Sequence, residues 1–116
     1  MLRILLDQDF DHDIVRGLLQ RLPDLDFIAA LQLGLSRADD RRLLLRVAVE
    51  RRILLTHDVR TMPGHYFGLL QKGETLEGAF IVPRRLKIGT VIDNLEILIV
   101  CSEQEDWENT LNRLPL

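Results

Sequence analysis

Four aspartates, Asp7, Asp9, Asp40 and Asp58, are the residues of this chain whose type and placement suit chemistry. Asp7 and Asp9 follow the apolar run Ile4-Leu5-Leu6, and Asp58 follows Ile53-Leu54-Leu55-Thr56-His57. Short continuous apolar runs of this kind mark strands buried on both faces of a parallel sheet. Such strands deliver whatever follows them to the sheet's C-terminal edge, where ligands bind in open α/β folds. Carboxylates brought within about 5 Å repel by roughly 3 kcal/mol at an effective dielectric near 20. A divalent cation removes that cost, and oxygen-only ligands with open positions suit Mg²⁺ or Mn²⁺ better than zinc. An ion held this way activates water and stabilises in-line displacement at a phosphodiester.

Each acid also has a plainer reading. Asp9 or Asp11 is placed to cap a first helix, and Asp39 is the natural N-cap of a second. Asp40, in a first helical turn, either binds metal or complements the helix dipole. Ending a buried strand does not require an acid, so the metal role is favoured for Asp7 and Asp58. Crowding of this sort predicts that Asp58→Asn, without metal, melts above the wild type. His12, His57 and His65 lack the spacing that puts two imidazoles on one helix face, which argues against zinc. Thr56 is placed to hydrogen-bond a ligand. The cluster Arg84, Arg85 and Lys87 directly follows a strand and is the leading phosphate contact, ahead of Arg37, Arg41, Arg42 and Arg60.

The elements that must position these groups are legible in order. Phe10, Ile14, Leu18 and Leu22, with Val15 and Leu19, form one helix face that Pro23 closes. A strand is expected over Leu25 to Ala30, followed by a loop through Leu33-Gly34-Leu35-Ser36-Arg37. A helix runs from Asp39-Asp40 to about Arg52, burying Leu43, Leu44, Val47 and Ala48. The strand Ile53 to Thr56 follows, then a loop over Arg60 to His65 and a short helix from Tyr66 to Gln71. A fourth strand spans Ala79 to Val82 and stops at Pro83; a helix from Ile88 to Val100 buries Val91, Ile92 and Leu95. Ser102 and Glu105 have the spacing of a capping box for a short helix around Trp107. Thr110 to Leu114 is either a final edge strand or the end of that helix. Strands alternating with helices predict right-handed crossovers and a mostly parallel sheet of four to five strands, covered on both faces as an α/β/α sandwich.

The totals bound the class. At 116 residues, 47% hydrophobic and 28% charged, the chain reads as one ordinary globular domain, residues 1–116. Its 15 basic and 18 acidic residues give a formal net charge of -3, so no strong global attraction draws it to nucleic acid. A single cysteine, Cys101, excludes an internal disulfide and fits a reducing compartment. The early acids leave no signal-peptide pattern, no run suggests a membrane span, and a cytoplasmic location is expected.

Taken together, Leu5-Leu6-Asp7-Gln8-Asp9, Ala38-Asp39-Asp40 and Leu54-Leu55-Thr56-His57-Asp58 resemble the short PIN-like proteins of the domain-of-unknown-function type, related to PIN-domain nucleases. Pro83 and the tail from Cys101-Ser102-Glu103 to Trp107 fit the same resemblance, which covers essentially the whole chain. It implies a PIN-like sandwich and a Mg²⁺ or Mn²⁺ pocket in which Asp7, Asp40 and Asp58 match the family's acids, with Asp9 as a fourth. It also implies endoribonuclease activity on single-stranded RNA, as the toxin-like half of a toxin–antitoxin pair, with an antitoxin-like protein or a second copy as partner. Arg60 stands where the family often has a further acid, and Gln8 where Glu is common. One fewer acid makes a catalytically inactive RNA- or protein-binding module the second reading. A receiver-like phosphoacceptor ranks last: it needs a lysine beside the acids, and of Lys72 and Lys87 the nearer lies past Pro83.

Overall fold

Alternation along the two central strands builds the molecule. In the computed structural model, which describes residues 1–35 and 39–116, β1 (Ile4–Leu6) and β3 (Ile53–Thr56) pair in parallel, Ile4 opposite Ile53 and Leu6 opposite Leu55. Successive side chains of a strand point to opposite faces. Ile4, Leu6, Ile53 and Leu55 therefore enter one core, and Leu5 and Leu54 enter the other. Both cores are closed, which is why these strands read as unbroken apolar runs. Ser36, Arg37 and Ala38, from the loop expected before the second helix, lie outside the described residues.

Five strands form one all-parallel sheet in the order β2-β1-β3-β4-β5, with β2 at Phe27–Ala29, β4 at Ala79–Ile81 and β5 at Leu111–Arg113. Helices α1 (His12–Arg21) and α4 (Ile88–Cys101) cover one face through Ile14, Leu18, Val91 and Leu95. Helices α2 (Asp40–Glu50) and α3 (Met62–Gln71) cover the other through Leu43, Leu44, Val47, Tyr66 and Leu69. The architecture is a three-layer α/β sandwich. Gly17 lets α1 approach α4: any Cβ there would collide with the Ile92 side chain. Among the described residues, no helix is long and apolar enough to cross a membrane.

Two local expectations are corrected and one alternative is decided. Helix α3 begins at Met62, not Tyr66, because Pro63 occupies the first turn, where its missing N–H has no partner to lose. Ser102 does not open a capping box with Glu105. It ends α4, its hydroxyl donating to the Leu98 carbonyl and accepting from the Trp107 indole N–H at 2.8 Å. The short 3₁₀ turn at Gln104–Trp107 is instead tied by the Glu103 N–H, which donates to the Asp106 carboxylate at 2.9 Å. The last segment resolves as an edge strand, Leu111 pairing in parallel with Ala79.

Candidate functional site

Because β1 and β3 are neighbours in register, the chain leaves both at one point of the sheet's C-terminal edge. The Asp7 N–H still donates to Leu55 O at 2.9 Å, extending the ladder by one step. This sets the Asp7 carboxylate beside Thr56, whose hydroxyl donates to Asp7 Oδ2 at 2.7 Å, while the Gln8 N–H donates to Oδ1 at 2.8 Å. The same Thr56 oxygen accepts the Asp58 N–H at 3.1 Å. Thr56 is fully buried, so its role is to hold the two acids in place and not to touch a ligand.

Asp58 has a structural task that its sequence context hides. Its Oδ1 accepts the N–H groups of Arg60 at 3.0 Å and Thr61 at 2.9 Å, and its Oδ2 accepts the Thr61 hydroxyl. These bonds fix the turn that leads into α3. Burial pushes the Asp58 carboxyl up, but the Thr61, Arg60 and Met62 hydrogen bonds outweigh it and hold the group below the usual carboxylate range. These bonds predict that Asp58→Asn, without metal, melts below the wild type, opposite to the expectation from crowding alone.

Asp39 caps α2, accepting the Arg41 and Arg42 N–H groups at 3.1 and 3.2 Å. That leaves Asp40, one residue on, to face the site. Burial raises its carboxyl above the ordinary value, and the charges of Asp7 and Asp58 raise it further. His65 of α3 works in the other direction, its Nε2 standing 3.7 Å from Asp40 Oδ2. The expectation for His65, a loop or helix-start residue, gains this second role.

All four predicted acids line one cleft. A cleft of about 300 Å³ is lined by Asp7, Gln8, Asp9, Asp39, Asp40 and Asp58, with Leu35 and Leu43 as its apolar wall. An adjoining hollow of about 190 Å³ shares Asp7, Asp9 and Asp58 and adds Phe10, His57 and Arg84. Of the three basic residues expected here, only Arg84 reaches this edge, donating to the Asp9 carbonyl at 3.0 Å. Arg85 and Lys87 are exposed beyond it, because the chain turns at Arg84-Arg85 toward α4.

His57, whose spacing argues against zinc, has a structural task. Its Nδ1 lies 2.7 Å from Val82 O and its Nε2 accepts the Asp11 N–H at 3.1 Å, so the geometry requires the neutral Nδ1–H tautomer. Burial lowers its pKa, and it stacks on Phe10 with ring centroids 4.4 Å apart. It fastens the start of α1, capped by Asp11, to the ends of β3 and β4. The signal available in sequence was an aromatic, Phe10, directly after the first acids.

The donor set fits a hard cation. Its ionisable lining side chains are all carboxylates, and Gln8, which also lines it, has a buried Oε1 without a hydrogen-bond partner. Among the described residues no three acids, imidazoles or thiols are grouped as a ready-made metal cage. A hard cation such as Mg²⁺ or Mn²⁺, if held here, would take one or two of these carboxylates and complete its shell with water. Comparison with known proteins gave no matching family model, no matching curated protein and no matching solved structure.

Proposed function

We propose that this chain is a PIN-like endoribonuclease that cleaves single-stranded RNA with Mg²⁺ or Mn²⁺, in the manner of the toxin-like half of a toxin–antitoxin pair. The observation that supports this most is the convergence of Asp7, Asp9, Asp40 and Asp58 on one cleft at the C-terminal edge of a parallel sheet. Asp7, oriented by Thr56, and the crowded Asp40 are the leading ligands, with Asp9 beside them. When bound, the ion supplies a Lewis acid that lowers the pKa of attacking water and steadies the leaving oxygen. Arg84, at the rim, is placed for a phosphate of the backbone. Asp58 contributes charge to the cleft while holding its own turn.

A second reading, a PIN-like module that binds RNA or protein without cleaving, is favoured by one observation: Asp58 spends both oxygens on its own turn. The two separate on a labelled single-stranded RNA. Cleavage should require Mg²⁺ or Mn²⁺ and fall at least 100-fold in Asp7→Asn, while RNA binding survives. Binding without cleavage in either metal, unchanged in Asp7→Asn, selects the module.

A further inference from the structure

Helix α2 carries its buried residues on one side and an unusual stripe on the other. Arg42, Leu45, Arg46 and Val49 recur at i, i+3, i+4 and i+7, which places them in one row on the outer face. All four are exposed, Val49 by 75%. With Leu35 they line a shallow groove of about 300 Å³, an apolar floor set between guanidinium groups. Arg46 is held by Glu50 at 3.2 Å within the helix, whereas Arg42 has no acidic partner among the described residues.

We infer that this groove is a docking site for a partner protein that presents an acidic amphipathic helix, with apolar anchors at i, i+3 or i+4 and i+7 between Asp or Glu residues. Charge selects that occupant. A second copy bound face to face about a two-fold axis brings the Arg42 and Arg46 side chains of both protomers to one groove, and like charges at that range repel. A phosphate backbone satisfies the arginines but leaves Leu45 and Val49 in water. An apolar helix with acidic flanks satisfies both, the mode in which helices enter grooves. Leu35 belongs both to this groove and to the wall of the acidic cleft, so the occupant borders that cleft without entering it. The inference stands on the α2 surface alone and does not depend on nuclease activity.

The test is a displayed library of helical peptides, randomised on one face, selected on the full chain and counter-selected on Val49→Asp. Both this change and Arg42→Glu lie on the exposed face, and circular dichroism checks that each variant is folded. Enriched peptides should carry Asp or Glu beside Leu or Ile at helical spacing, and a synthetic representative should bind at least tenfold more weakly to Val49→Asp and to Arg42→Glu. Replacing its acids by Lys should abolish binding to the wild type and restore it to Arg42→Glu. The inference is overturned if enrichment shows no preference for acids, or if nothing is enriched. It is equally overturned if binding ignores both substitutions. Dimerisation broken by Val49→Asp would assign the groove to a second copy. Affinity for single-stranded RNA lost in Arg42→Glu but kept in Val49→Asp would assign it to nucleic acid.

Discussion

Asp58 and Asp40 stand at the same cleft and have opposite circumstances. Asp58 sits in the turn after β3, where two backbone N–H groups and a hydroxyl take up both its oxygens. Asp40 opens α2 one residue after its cap, where burial, Asp7 and Asp58 outweigh the imidazole of His65 and a hydrogen bond from Thr61. One carboxylate is stabilised as an anion by its own loop. The other is forced toward neutrality by burial and like charge. Groups whose surroundings disfavour their charged form are the ones with most to gain from a cation. The comparison therefore ties Asp58 first to the fold and, on the function proposed, makes Asp40 the better candidate for a ligand.

The largest structural effect expected is at the residue that links the two halves of the site. Thr56→Val keeps the shape of a fully buried side chain but strips the donor from Asp7 Oδ2 and the acceptor from the Asp58 N–H. Leaving two such groups unsatisfied should cost about 2 kcal/mol, measured by urea denaturation. Thr56→Ser, which keeps the hydroxyl, should cost less than half as much. Equal losses in the two variants would mean the site depends on the methyl group and its packing. Next in size is Asp58→Asn, expected to lose about 1 kcal/mol, because an amide nitrogen in place of one oxygen leaves a donor of the turn without its acceptor. A gain in stability there would put Asp58 back with Asp40 as a crowded ligand.

What the sequence made legible follows from where the physics is local. The run Ile53-Leu54-Leu55-Thr56 and the cap Asp39 need only their own neighbours to be read, and both stand where expected. That Asp7 and Asp58 reach one edge is equally legible, since parallel strands all end there; that their strands are neighbours is a fact of the sheet order. The start of α3 was misplaced because Pro63 reads as a breaker, when the first turn of a helix tolerates it. Thr56 and His57 were read as ligand contact and rejected zinc ligand. Their actual partners, Asp7 at 49 positions' separation and Asp11 at 46, are set by tertiary pairing that no local pattern encodes. The surplus bonds on Asp58 depend on a loop conformation, equally invisible to spacing.

The smallest effect is the sharpest, because its sign depends on pH. Asp40 has a folded-state pKa above the ordinary 3.8, so its contribution to stability is fully present below that value and is lost as pH rises through the folded pKa. At neutral pH its ionisation is a cost, and Asp40→Asn in chelator should gain about 0.5 kcal/mol, a change of roughly 2 °C in Tm. As pH falls below about 4 the wild-type carboxyl is protonated, and the gain should vanish. Asp58 runs the other way: its folded pKa lies below 3.8, so its stabilisation is present above that value and is lost as pH falls through the folded pKa. The deficit of Asp58→Asn should therefore also close toward low pH, from the opposite side of zero. Measuring both differences from pH 7 to pH 3 against the same wild type cancels the titration of groups remote from the two acids. Added Mn²⁺ at neutral pH should then turn the Asp40→Asn gain into a deficit, since binding to the folded state stabilises the wild type. A gain that persists unchanged in Mn²⁺ would remove Asp40 as a metal ligand and leave its raised pKa as a consequence of burial alone.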